Sequence, residues 1–169
     1  VVDVSAGGID LAIRMGRGPW PGLHCEPLMN DALYPVVSPD LLAKTGRPNS
    51  ARQWRHWQLL HGRDPHASWA VWKTAHGPQG LDVKQGPRFT SSDLVLQAAK
   101  LSQGVALARH RMAADDVAVG SLVRPFEAQS VVLPDAYWIV MPPRSQRRPE
   151  VKQVVNWLKR QAADCGLAV

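Results

Sequence analysis

The turn Thr90-Ser91-Ser92-Asp93 sets three hydroxyls and a carboxylate where an extended stretch, Val83 to Phe89, hands over to a helix marked by Leu94, Ala98 and Leu101. Free N–H groups at a helix start attract anions, and the carboxyl ends of strands in an open α/β sheet are where ligands bind. The same residues also suit an ordinary capping box between Thr90 and Asp93, and spacing alone leaves ligand site and plain cap as open alternatives.

Other chemistry has less support. Gly16-Arg17-Gly18 begins like a dinucleotide loop, but Pro21 stands where the third glycine is needed. No phosphate loop, G-x-S-x-G nucleophile elbow or H-E-x-x-H zinc motif occurs. His56, His61 and His66 recur every five residues, which does not hold all three on one helical face, and Cys25 and Cys165 belong to no C-x-x-C pair. No metal or cofactor is therefore expected. Adjacent Asp115 and Asp116 diverge by about 100° on a helix and cannot share a proton. Ser91 or Ser92 with His61 is the constellation left for a small transferase, and no spacing rule ties them together. The seven tryptophans lack the basic interleaving of a base-stacking surface and are assigned to packing.

The elements that must position these residues alternate. Ile9, Leu11 and Ile13 predict a strand that stops at the Gly16–Gly22 loop. Leu33 to Ser38 predicts a second strand, interrupted in its regularity by Pro35, and Ser38-Pro39-Asp40 a capped helix. Ser50 caps a short helix carrying Trp54 and Trp57, Leu59 to His61 reads as a strand, and Ser68 to His76 as a helix ended by Gly77. Val83 to Ala108 has the order of a βαβ unit, with Gly104 ending its helix, and implies a mainly parallel sheet. Met112 to Val117 is helical, and two strands, Val131 to Leu133 and Tyr137 to Met141, are separated by Pro134-Asp135. Pro149 opens a last amphipathic helix in which Val151, Val154, Val155, Leu158 and Ala162 follow helical spacing, with Gly166 beyond it.

A chain of 169 residues, 45% hydrophobic and 20% charged, can bury roughly two-thirds of its unfolded surface and has no run long enough for a membrane span. The net charge of +6 is mostly local: Arg144 to Arg160 holds six basic residues and one acid, a solvated face and helix end rather than a nucleic-acid footprint. Two cysteines and a start without a signal pattern point to the cytoplasm.

Several segments carry a family resemblance. Gly8 to Leu23, Leu33 to Pro39, Gln85 to Phe89, Val95 to Ala99, Gln103 to Ala108, Gly120 to Phe126 and Tyr137 to Val140, in that order, resemble the effector-binding (substrate-binding) domain of LysR-type transcriptional regulators. The resemblance implies an α/β, two-lobed, periplasmic-binding-protein-like (type 2) fold whose first lobe is incomplete at its N-terminus. Residues 1–38 and 136–169 would form that partial first lobe and 39–135 the second, together one effector-binding domain. Leu33 to Val37 and Tyr137 to Val140 would lie side by side as the two crossing strands. Ser102 stands where the family often has glycine.

The implied function is ligand sensing in a bacterial transcriptional regulator, not enzymatic catalysis. A small anionic or amino-acid-like effector would sit between the lobes, its anionic group at Thr90, Ser91 and Ser92, with Arg14, Arg17, Ser38 and His61 as further effector-binding residues. The expected partners are that effector and further copies of the chain, in a homo-oligomer formed through this domain. DNA would be reached only through the family's winged helix-turn-helix, to which nothing in Val1 to Val169 corresponds. No membrane partner is expected. The alternative on the same fold is a solute-binding module of a transport system.

Overall fold

The computed structural model describes Val4 and residues 8–164 of the chain; Cys165 and Gly166 lie outside the described residues. Eleven principal elements follow in order: β1 (Ala12–Met15), β2 (His24–Val36), α1 (Pro39–Thr45), α2 (Ala51–Trp54), β3 (Leu59–Leu60), α3 (Trp69–His76), α4 (Ser92–Lys100), β4 (Val105–Arg109), α5 (His110–Ala118), β5 (Val131–Met141) and α6 (Pro149–Asp164). Short 3-10 turns at Pro65–Ala67 and Ser145–Arg147 link neighbouring elements.

The local signals act as their chemistry requires. Ser38 Oγ accepts from Leu41 N at 3.2 Å to start α1, and Ser50 Oγ accepts from Gln53 N to start α2. Ser68 starts α3 from an extended conformation without a side-chain cap, and Gly77 ends it. Trp57 falls beyond α2 in the turn that follows, yet is only 3% exposed.

Strand order in the sheet is β1-β5-β2-β4-β3. The ladder β1–β5 is antiparallel with Ala12 opposite Val140, and β2–β4 is antiparallel with Leu33 opposite Arg109. Only β3–β4 is parallel among the described pairings, so the expected mainly parallel sheet gives way to a mixed one. The expected strand at Val83 to Phe89 is reduced to a single parallel bridge between Arg88 and His61. β2 and β5 are neighbours in this order; on their other edges Tyr137 to Val140 pair with Met15 to Ala12, and Leu33 to Val36 with Arg109 to Ala106. Central β2 runs straight through Pro35, since a strand residue donates toward only one neighbour and a proline costs one ladder bond. β5 likewise continues through Pro134 and Asp135 in place of the expected turn, with Asp135 at a positive φ of 47°.

By contacts the chain divides into two compact units, residues 1–31 with 132–169 and residues 32–131. In the first, Ile139 and Met141 of β5 pack against Val151 and Val155 of α6, with Leu11, Leu28 and Leu158 at the margin. Helix α6 runs on to Asp164, so Lys159 and Arg160 precede its last turn instead of forming it. The second unit is built on Tyr34, Val36, Leu60, Val95, Leu96, Ala98 and their neighbours. The buried stripe of α4 is Val95, Leu96, Ala98 and Ala99, whereas Leu94 and Leu101 are 48% and 70% exposed. Both stripes have helical spacing, and the docking of α4 on β4 decided between them. Trp54, Trp57, Trp69, Trp72 and Phe126 form an aromatic cluster in this unit, in keeping with a packing role, while Trp157 of α6 is 53% exposed.

Candidate functional site

Helix α4 begins one residue later than a Thr90–Asp93 capping box would place it. Ser91 is the N-cap, in extended conformation, and its Oγ accepts from Leu94 N at 3.4 Å. Thr90 is exposed and outside the helix, so its hydroxyl caps nothing. Ser92 is the first helical residue, and its N–H is one of the donors that an α-helix leaves without an internal partner.

Ser92 is half-buried against a cavity of about 20 Å³ that Gly62, Asp64, Leu107, Arg109 and Met112 also line. That volume holds one water-sized group, such as a single carboxylate oxygen. A shallower hollow of about 170 Å³ shares Gly62 and Asp64 and adds Arg63 and Arg88. Asp64 and Arg109, which no sequence motif singled out, form the charged floor. Arg109 donates to Asp64 Oδ2 from Nη2 at 2.6 Å and from Nε at 3.1 Å, and Asp64 Oδ1 accepts from His66 N at 2.9 Å. A signal was present: a lone arginine closes the otherwise apolar run Val105 to Ala108, and a charge in such a strand is buried only when paired. Arg63 and Arg88 line the hollow beside this Arg109–Asp64 pair.

The other predicted residues have more structural duties. His61 is 7% exposed; its N–H donates to Pro87 O, its C=O accepts from Phe89 N, and its Nε2 donates to Gln85 O at 2.8 Å. Its ring thus holds the 85–89 segment beside the sheet. Among the described residues no hydrogen bond joins it to Ser91 or Ser92. Ser38 is 2% exposed and, besides capping α1, shares a hydrogen bond with Ser102 Oγ at 2.8 Å. That bond helps hold Ser102 at a φ of 60°, a backbone region that glycine adopts without cost.

Arg14 and Arg17 belong to the first unit. Arg14 sits on β1 opposite Trp138, its guanidinium carbon 5.4 Å from the centre of the Trp20 ring. Arg17 is exposed in the loop that follows β1. The basic residues from Arg144 to Arg160 are exposed, and Arg148 pairs with Asp10 at 2.7 Å, as a solvated face does. Among the described residues no group of three or more His, Cys, Asp or Glu side chains is placed to hold a metal ion. No helix among them is long and apolar enough to cross a membrane.

A family model described as the LysR substrate binding domain matches residues 1–163. The chain is 35% identical to the glycine cleavage system transcriptional activator of Escherichia coli (strain K12) over 161 residues, which is 95% of this chain and 52% of that protein. It is 31% identical to the HTH-type transcriptional regulator DsdC of the same strain, covering 95% of this chain and 53% of that one. It thus spans about half the length of these curated relatives. Among solved structures, the effector domain of the transcriptional regulator AmpR of Pseudomonas aeruginosa superposes with a TM-score of 0.81 at 29% identity, covering 96% of this chain and 76% of that chain. The AmpR effector binding domain from Citrobacter freundii gives 0.80 at 27% identity, covering 97% and 80%.

Proposed function

The chain belongs to the LysR substrate-binding domain family, with its type 2 periplasmic-binding-protein-like α/β fold, and on that premise we propose that it is the ligand-sensing part of a longer bacterial transcriptional regulator. The observation that carries this reading is the match of the family model to residues 1–163. The named relatives are transcriptional regulators, so the solute-transport alternative has no support. In this reading the chain is not an enzyme, works in the cytoplasm, assembles into homo-oligomers, and reaches DNA only through a winged helix-turn-helix that does not lie in these residues. Effector binding shifts the population of its conformations, and that shift is what the regulator reads.

The effector is a small anion or amino acid whose negative group docks at the start of α4, near Thr90, Ser91 and Ser92. The unused amide of Ser92, the positive end of α4 and the arginines around Asp64 support that placement. Ser38 and His61 serve it by holding backbone, and Arg14 and Arg17 are the first unit's basic residues assigned to effector recognition. The division proposed for the domain is residues 1–38 with 136–169 as one lobe and 39–135 as the other.

Thermal melting against a panel of amino acids and small carboxylates tests the reading. A ligand at 100 times its Kd raises stability by about 2.7 kcal/mol, which for this length is a rise of several degrees in Tm. The expected result is a rise with at least one member of the panel, reduced in Ser92→Ala and Thr90→Ala/Ser92→Ala. A panel without any shift, or a shift that both variants keep in full, overturns the placement.

A further inference from the structure

The cavity of about 20 Å³ at the start of α4 is walled largely by apolar side chains of α4 and β4, among them Val95, Leu96 and Leu107, and the charged groups on it are Asp64 and Arg109. Each already neutralises the other. Arg109, with its side chain 4% exposed, directs Nη2 and Nε to the same oxygen, Asp64 Oδ2, at 2.6 and 3.1 Å. Asp64 Oδ1 accepts from His66 N at 2.9 Å and so caps the 3-10 turn Pro65–Ala67.

An anionic group that enters this cavity beside Ser92 therefore meets a carboxylate that already holds the cavity's cation. Two carboxylates facing one guanidinium between apolar walls leave a negative charge uncompensated in a poorly hydrated place. One of them must leave, and Asp64 is the one placed to do so. Its side chain is 17% exposed, it sits on a short turn between Gly62 and Pro65, and it also borders the open hollow of about 170 Å³, whose water would hydrate it. Arg109 is held in the β2–β4 ladder opposite Leu33. The exchange is close to balanced, because one carboxylate replaces another on the same guanidinium while Asp64 regains water.

We propose that Asp64 is a built-in competitor of the effector: it occupies Arg109 until the effector's carboxylate takes its place. The inference rests on the placement of the effector's anionic group at α4. Displacement gives up the bond from His66 N and so releases the turn that leads into α3, a change in this chain that only an anion at Arg109 brings about.

The experiment titrates the wild-type chain and its variants with acetate, succinate and L-alanine, and with neutral acetamide, following heat and the ¹H–¹⁵N cross-peaks of Ser92 and His66. Asp64→Asn keeps an amide oxygen as acceptor and should fold normally by circular dichroism. At least one carboxylate should bind it at least tenfold more tightly than it binds the wild type, with no gain for acetamide. Asp93→Asn, which removes another negative charge from the first turn of α4, should gain less than threefold. Asp64→Asn/Arg109→Met should lose the gain. In the wild type, saturation with that carboxylate should carry the His66 cross-peak toward its position in Asp64→Ala.

Equal affinity of the wild type and Asp64→Asn overturns the proposal while leaving the placement at α4 standing. So do an equal gain in Asp93→Asn, an equal gain for acetamide, a gain that survives Arg109→Met, and a His66 cross-peak unmoved at saturation. Absence of binding by all three carboxylates at 5 mM, to the wild type and to Asp64→Asn alike, overturns the placement and the proposal together.

Discussion

Arg109 Nη2 lies 2.6 Å from Asp64 Oδ2, joining the last residue of β4 to the turn before α3 across 45 positions of chain. Both partners are mostly shielded, with side chains 4% and 17% exposed, so each is the other's main compensation for lost hydration. Arg109→Met should therefore destabilise by about 3 kcal/mol, because it leaves a shielded carboxylate behind. The double change Asp64→Asn/Arg109→Met should be less damaging than the single one, and thermal melts of the three proteins check this. A loss below about 1 kcal/mol in Arg109→Met would show that water already compensates Asp64.

The register of the α4 cap is testable by two neighbouring serine and threonine changes. Ser91→Ala removes the acceptor for Leu94 N and should cost about 1 kcal/mol in urea unfolding, whereas Thr90→Ala, outside the helix, should change stability by less than about 0.5 kcal/mol. The reverse order would restore the Thr90–Asp93 box.

Acid should loosen the first unit through Glu26. A hydrogen bond from Lys159 is the main cause that holds its carboxyl below the usual range, with His24 adding to it against the opposing effect of burial. A depressed carboxylate contributes stability that is present above its unfolded value of 4.5 and lost as pH falls through the folded one. Glu26→Gln should thus cost about 0.5 to 1 kcal/mol at pH 7 and progressively less as pH falls below 4.5, by urea melts at a series of pH values. A cost that does not change across the series would mean that the effect is packing and not charge.

Gly86→Ala should destabilise the second unit by at least about 2 kcal/mol, since both the positive φ and the contact with Leu59 O oppose a Cβ. Gly80→Ala, also at positive φ but with 4.0 Å of room to the Ala51 side chain, should cost less. Thermal melting compares them directly, and equal losses would leave backbone strain as the whole cost at Gly86.

What could be read from sequence was what neighbouring residues decide. Ser38 and Ser50 cap the helices they were expected to cap, Gly77 ends α3, and Val151, Val155 and Leu158 of α6 face the core, because caps and helical faces are set within a few residues. The order of seven family-like segments pointed to the LysR-type effector domain, which the family match over residues 1–163 bears out. The Thr90–Asp93 turn was legible as a helix start, although its cap was placed one residue early.

Tertiary structure alone decided the rest. Nothing local told which stripe of α4 is buried, that β5 runs unbroken through Pro134 and Asp135, or that β2–β4 and β1–β5 are antiparallel. Asp64 and Arg109 showed no motif, since their bond exists only after β4 has paired with β3 and carried Arg109 past the turn at Asp64. Strand direction, the choice between two apolar faces and a buried ion pair are settled by partners dozens of residues away, whose burial energies exceed the fractions of a kilocalorie that local propensity contributes.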